Sequence, residues 1–349
     1  MLNISGKRVL ISPLSWGLGH AARCVPVISH LLKSDCTVSV FASPELIGYL
    51  RQRFPDLNYI EDSTTSFTYG SEGLTTKTLF VFALKMLRLT RSDCKQCRLL
   101  CRYVKPDVII SDNRYGFHCA DVPSFLITHQ IRPFIPGVAN LFRPFVSAFL
   151  KKSYRRFTEI LIPDNDETPG LAGVLSHPST TPAHARYIGL LSRFQHLEST
   201  QIERNPSQIL FIASGPERHR YEMAAFLSTV KLSGELQMIL VGCSPASTGN
   251  NQIRFIESPD DSDLRKLICE SGIIISACGY STLMDLICLK RAAVLIPTAG
   301  QSEQLYLADI HKSRMIVCST YKKVFEFLSD SDALIAELNS KESLLLKPH

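Results

Sequence analysis

The chain has 349 residues, of which 45% are hydrophobic and 20% charged, and a formal net charge of +6 with histidine neutral. At roughly 100–200 residues per domain the length predicts two domains, and the composition suits a globular chain with real cores. No apolar run reaches the ~18–20 residues of a membrane-spanning helix, and the mild positive charge comes without a nucleic-acid recognition motif, so neither a helical membrane protein nor a nucleic-acid binder is expected.

Residues 1–14 hold one short apolar run followed at once by a glycine-rich turn, where a signal peptide would place a longer apolar stretch and a small-residue cleavage site. Residues 9–12 read as a buried strand by length and β-branching, 21–32 as the helix after it, and 37–42 as a second strand. Residues 78–104 read as one or two helices. They carry Cys94, Cys97 and Cys101 on one face, and neither a second pair nor a nearby histidine completes a zinc site. Buried, reduced cysteine packs as a small apolar residue, and an odd total of 11 cysteines argues against a secreted disulfide framework. A reducing, cytoplasmic compartment is the expectation.

Further strands are predicted at 107–110, 124–128 and 160–163. Residues 168–184 are loop-like, 187–190 a short strand, and 192–206 polar and linker-like. The alternation then restarts, with strands at 209–213, 238–241, 273–276 and 294–297, each followed by a turn signal and a helical stretch. Strands separated by helix-length segments imply parallel βαβ units. Two such sets, each opened by a glycine-containing loop, predict two Rossmann-like domains facing across a cleft.

Three stretches carry chemistry. Gly17-Leu18-Gly19-His20 lies directly after the first strand and before a helix, where glycines let backbone approach a ligand and helix-opening N–H groups favour anions. A third glycine is missing, so this is not the dinucleotide fingerprint. His20 is either a proton acceptor near neutral pH or a helix-terminal residue with a local hydrogen bond. Ser214-Gly215-Pro216-Glu217 holds the corresponding place in the second half, as a phosphate cradle or simply a turn. The longest runs from Ser276 through Gly279, Ser281 and Thr282 to Asp285, then from Pro297 to Gln301, Glu303 and Gln304. Its glycine–hydroxyl turn opens a helix and suits a phosphate, and a carboxylate at Asp285 suits vicinal ribose hydroxyls. The polar loop after the next strand lies at a carboxyl edge, where α/β sheets bind ligands. Asp112, Asn113 and Arg114 follow a strand in the same way and are expected to face the cleft, as are His129 and Gln130; acceptor binding and loop structure both fit. Residues 131–156 mix phenylalanines with Arg132, Arg143, Lys151, Lys152, Arg155 and Arg156 and contain no acidic residue. Such a segment is either a solvated helix with one packed face or a contact for anionic lipid.

This arrangement resembles the GT-B glycosyltransferases of the MurG type, which add N-acetylglucosamine to a lipid-linked precursor. The first-strand loop, the turn at Gly279 with an acidic residue six positions later, and the proline-ended strand before Glu303-Gln304 all match that pattern. An uncharacterised branch of related proteins is closer. Its stretches resemble 106–113, 127–130, 187–194, 214–217 and 300–304, so the resemblance spans residues 7 to 310. It implies an acceptor-side domain at 1–190, a linker at 191–206 and a nucleotide-sugar-binding domain at 207–349. It further implies donor binding by Gly17, Gly19, Ser214, Gly215, Gly279, Ser281, Thr282, Asp285, Gln301, Glu303 and Gln304, with Asn113, His129 and Gln130 on the acceptor side. The implied reaction is an inverting transfer from a UDP-type sugar to a hydroxyl acceptor, lipid-linked in that family, with no metal and no cofactor. His20 is the candidate base and Asp112 the second choice. Three departures stand out: Glu303 replaces the first of two glutamines, Asp285 replaces a glutamate, and His129-Gln130 match only part of an H-E-Q-N motif. A nucleotide-sugar epimerase and a catalytically inactive nucleotide-sugar-binding protein are the alternatives.

Overall fold

The computed structural model describes residues 4–63, 76–135, 137–195, 197, 202–213, 217–243 and 250–346. Two compact units divide the chain, Met1–Leu191 and Ser192–His349.

The first unit is a parallel sheet of seven strands: β1 (Arg8–Pro13), β2 (Thr37–Ala42), β3 (Asn58–Glu61), β4 (Val108–Asp112), β5 (Ser124–Ile127), β6 (Glu159–Ile162) and β7 (Ala185–Tyr187). Their spatial order is β3-β2-β1-β4-β5-β6-β7, and every pairing is parallel. Helices α1 (Leu18–Lys33), α2 (Pro44–Arg51), α3 (Thr76–Val104) and α4 (Arg143–Tyr154) make the connections. The central strands are largely apolar because helices cover both faces of a parallel sheet. Val9, Leu10, Ile11, Ile109 and Ile110 are all fully buried.

The cysteine-bearing segment is one helix, α3, of 29 residues. Cys97 is buried in a cluster with Leu10, Phe41, Ile109 and Phe117, against which Cys101 and Cys119 also pack. This is apolar packing of a thiol, and all eleven cysteines are free.

The second unit is a six-stranded parallel sheet: β8 (Asn205–Ile212), β9 (Gln237–Val241), β10 (Ile253–Ile256), β11 (Ser271–Ala277), β12 (Val294–Ile296) and β13 (Ile316–Val317). The order is β10-β9-β8-β11-β12-β13. Its helices are α5 (Glu217–Ser228), α6 (Asp261–Glu270), α7 (Tyr280–Cys288), α8 (Ser302–His311), α9 (Tyr321–Leu328) and α10 (Ser331–Leu345). Asp260 caps α6 by accepting from the Asp263 N–H at 2.8 Å. A buried guanidinium fastens α10 to the sheet. Arg291 donates to Glu342 at 2.7 Å and to the carbonyls of Cys269 at 2.8 Å and Ser271 at 2.6 Å, with a further bond to the Ile268 carbonyl.

In each sheet the strand order reverses beside the unit's first strand: at β1 and β4 in the first, at β8 and β11 in the second. The carboxyl ends of strands at such a reversal diverge to opposite faces and leave a crevice, the usual ligand position in open α/β sheets.

Candidate functional site

Within the first unit, β1 ends at Pro13 and the chain enters α1 through Gly17, whose φ of 131° belongs to the region that favours glycine. A Cβ at Gly17 would meet nothing within 4 Å, so backbone conformation, rather than crowding, calls for glycine there. Gly19 lies inside the first turn of α1, and His20 follows it. On the neighbouring strand, Asp112 is the last residue of β4, paired with Pro13, and its carbonyl accepts from the Leu14 N–H. The strand reversal thus brings Asp112 against His20, with His20 Nδ1 2.7 Å from Asp112 Oδ2.

Asp112 is fully buried. Burial pushes its carboxyl up, and the charges and hydrogen bonds of Arg23 and His20 outweigh that, leaving it below the usual carboxylate range. An ionised carboxylate only accepts, so the proton of the His20–Asp112 bond resides on Nδ1. The His20 side chain is 18% exposed, against 0% for Asp112. The pair therefore sets a partly exposed imidazole against a buried carboxylate.

Arg23 completes the cluster. It lies one helical turn beyond His20 and is 2% exposed. It donates from Nη2 to Asp112 Oδ1 at 2.5 Å and from Nη1 toward His129 Nδ1 at 3.3 Å. Its Nη2 also lies 2.8 Å from His20 Nδ1; with a proton on Nδ1 both groups are donors, and the carboxylate is what they share. Arg23 carries no motif signature, and the one signal for it was an arginine inside an otherwise apolar helix at spacing i+3 from His20.

The acceptor-side candidates divide. Asn113 adopts φ 59° and its Oδ1 accepts from Thr128 Oγ1 at 2.9 Å and Tyr115 Oη at 3.2 Å. His129 is 4% exposed and turned toward Arg23. The Gln130 N–H donates to Thr128 Oγ1, and its carbonyl accepts from Tyr154. Arg114, expected at the strand edge with its neighbours, is instead directed inward. It forms ion pairs with Asp62 at 2.9 Å and Asp93 at 2.5 Å and donates to Ser12 Oγ, because those carboxylates lie buried beneath the loop and need a cation.

Within the second unit, β11 leads through Cys278 and Gly279 into α7, whose N-cap is Gly279 with no side-chain cap. Ser281 and Thr282 occupy the helix's first turn and are half-buried. The next strand, β12, leads to a loop tied by glutamines: the Thr298 N–H donates to Gln304 Oε1 at 2.8 Å, and Gln304 Nε2 donates to Gln301 Oε1 at 2.6 Å. Glu303 opens α8. Burial, and then the Glu303 charge, push the Cys278 thiol up to about 12. Ser214 and Gly215 lie outside the described residues.

Asp285 is 4% exposed, and both of its oxygens have protein donors. Ser192 Oγ donates to Oδ1 at 2.7 Å, and Arg193 approaches Oδ2 at 3.0 Å through Nε and Nη2. Ser192 and Arg193, expected in a linker, are thereby bound into the second unit. Burial raises the Asp285 carboxyl, and Arg193 and Ser192 oppose that rise.

Asp164, which forms an aspartate pair of D-x-D spacing with Asp166, accepts from the N–H groups of Asn165, Leu171 and Ala172 and from Ser176 Oγ, at 2.6–2.8 Å. Its carboxylate ties down its own loop. Among the described residues no group of three or more metal-type ligands assembles, and no helix is long and apolar enough to cross a membrane.

No protein-family model and no curated protein matches the sequence. Solved structures do match, and the neighbours are GT-B glycosyltransferases. The spinosyn rhamnosyltransferase SpnG complexed with thymidine diphosphate is similar at TM-score 0.64 and 15% identity, covering 97% of this chain and 95% of that one. MurG of Acinetobacter baumannii is similar at TM-score 0.50 and 15% identity, covering 98% and 96%. A putative UDP-N-acetylglucosamine 2-epimerase from Listeria monocytogenes is similar at TM-score 0.59 and 12% identity, covering 96% and 89%. At these identities the likeness is one of fold: two parallel-sheet α/β units of the GT-B class.

Proposed function

We propose that the chain is a glycosyltransferase that moves a sugar from a nucleotide-diphosphate donor to a hydroxyl acceptor, with His20 as general base. The observation that carries this reading is the His20–Asp112 pair at the strand reversal of the first sheet. The ionised carboxylate holds the imidazole proton on Nδ1, so that Nε2 removes the acceptor's hydroxyl proton as its oxygen attacks the anomeric carbon. The bond to the donor's diphosphate breaks as the new C–O bond forms, giving inversion. Asp112 stabilises the resulting imidazolium, and Arg23 balances the buried carboxylate.

In this reading the donor is held by the second unit. The uncapped N-terminus of α7 and the hydroxyls of Ser281 and Thr282 receive the leaving diphosphate, a task for which other transferases use a divalent cation. Ser214 and Gly215, next along the sequence after β8, are the remaining candidates for the diphosphate. Gln301, Glu303 and Gln304 contact the sugar, since a carboxylate at Glu303 suits sugar hydroxyls and repels phosphate. Asp285 serves the ribose while oriented by Ser192 and Arg193. A UDP-linked hexose and a lipid-linked acceptor are the substrates that the family resemblance supports. The basic segment at 143–156, with Phe145 74% exposed, supports contact with an anionic membrane surface.

The test is mass spectrometry of the purified protein with a panel of nucleotide sugars, with and without hydroxyl acceptors. Transfer that depends on acceptor and is lost in His20→Ala supports the proposal. Donor conversion without acceptor reassigns the chain to an epimerase, and donor binding without any conversion reassigns it to a binding protein. Full activity in excess EDTA supports the metal-independent form; loss that Mg²⁺ or Mn²⁺ restores overturns it.

A further inference from the structure

One concavity of the first unit, with a volume of about 410 Å³, is lined by five basic side chains: Arg91, Lys95, Arg98 and Arg102 of α3, and Arg156 just beyond α4. The spacings of four, three and four residues put the α3 cations on one helix face. No acidic residue lines the concavity, and none of the five side chains forms an ion pair or hydrogen bond among the described residues. The whole of α3 carries seven lysines and arginines and a single carboxylate, Asp93, which is buried on Arg114.

Like charges at i,i+4 destabilise a helix. The helix dipole favours a cation only within the last turn, which accounts for Arg102 and for none of the other three. The field also reaches inward. His118 is 7% exposed with its ring 5.5 Å from that of Phe157, and burial, then the charges of Arg156 and Arg98, hold it down at about 4. All five are exposed, and five cations without a protein counter-charge around one concavity favour an anion there. Guanidinium groups match phosphate oxygens by paired, charge-assisted hydrogen bonds.

We propose that this concavity is a binding site for a multiply charged phosphate group, distinct from the donor-binding residues of the second unit. The phosphate is either that of a soluble polyphosphate or that of a lipid headgroup. Leu99 at 53% and Tyr103 at 85% exposure stand beside the cations and suit the lipid source.

The experiment compares the full-length protein with two triple variants. Arg98→Gln/Arg102→Gln/Arg156→Gln removes three charges from the concavity, and Lys290→Gln/Lys322→Gln/Lys323→Gln removes the same charge from the second unit. Pyrophosphate is titrated calorimetrically in one arm, and co-sedimentation with phosphatidylcholine vesicles containing phosphatidic acid is measured in the other. The proposal expects the first variant to lose about tenfold or more in at least one arm, with the control near wild type. Loss with pyrophosphate assigns a soluble ligand; loss with vesicles alone assigns a headgroup. Wild-type behaviour of the first variant in both arms, equal loss in the two variants, or no binding by wild type overturns the proposal. Nucleotide affinity, followed in parallel, reports on the donor reading separately.

Discussion

His20 and Asp112 stand 92 positions apart in the chain and 2.7 Å apart in space, joined because β1 and β4 are neighbours in the first sheet. An asparagine at 112 would turn an acceptor-only carboxylate into an amide that can donate to Nδ1, leaving the wrong nitrogen free. Asp112→Asn is expected to lower turnover by about 10²–10⁴-fold with donor affinity little changed, as are His20→Ala and His20→Gln. Steady-state rates with an identified acceptor and calorimetric donor affinities provide the check. Near-normal turnover in Asp112→Asn would remove the carboxylate from the mechanism.

Asp285 offers a second measurement, in which stability and affinity must be separated. Asp285→Ala strands Arg193 and Ser192 beside an empty carboxylate position, so the second unit is expected to lose roughly 3 kcal/mol in denaturant unfolding. Asp285→Asn keeps the shape and an acceptor oxygen, and is expected to unfold closer to wild type while binding nucleotide more weakly. If the asparagine variant folds normally and binds nucleotide with unchanged affinity, Asp285 serves only to dock residues 192 and 193.

His118 supplies a pH dependence. Its folded-state pKa of about 4 lies below the ordinary 6.5, so between those values the unfolded chain binds more protons than the folded one. Its contribution to stability is therefore complete above pH 6.5 and is lost as pH falls toward 4, by about 1–2 kcal/mol once screening by solvent is allowed for. His118→Gln should flatten that part of the stability–pH curve. An unchanged slope would mean that another group titrates there.

Arg291 and Glu342 are 3% and 7% exposed and form the buried hub beneath α10. Removing one partner leaves an uncompensated buried charge, so Glu342→Ala is expected to cost about 3–5 kcal/mol, read as a fall in the urea midpoint. Arg204, which also reaches Glu342, is 41% exposed in its side chain, and its replacement by alanine should cost under about 1 kcal/mol. Equal effects from the two variants would contradict this division.

On α4, Leu150, Ser153 and Tyr154 are buried, while Lys151 and Lys152 are exposed, as are Arg155 and Arg156 just beyond the helix. Replacing Lys151, Lys152 and Arg155 with glutamine is expected to reduce sedimentation with acidic vesicles at low salt and leave nucleotide binding intact, at about 1 kcal/mol per charge. Identical sedimentation of variant and wild type would favour a soluble acceptor.

The sequence determined the class of fold and the placement of its interior strands. Those nine strands are buried on both faces, so each reads as a short apolar run between turn signals. The edge strands were missed or displaced. Residues 58–61, 253–256 and 316–317 carried no strand signal, and the strand expected at 187–190 ends at Tyr187. An edge strand has one neighbour and half-exposed side chains, so its pattern fades into that of a loop. His20, Asp112 and the turn at Gly279 were also legible, because glycines and polar residues just after an apolar strand mark its carboxyl edge. Only the tertiary structure decided what those residues touch. Strand order set Asp112 on His20 and Arg23, carried Arg114 inward to Asp62 and Asp93, and brought Ser192 and Arg193 onto Asp285. Each of these carboxylates is buried and needs a donor or a cation, but the one it receives is chosen by which strands and loops become neighbours, and spacing along the chain does not encode that.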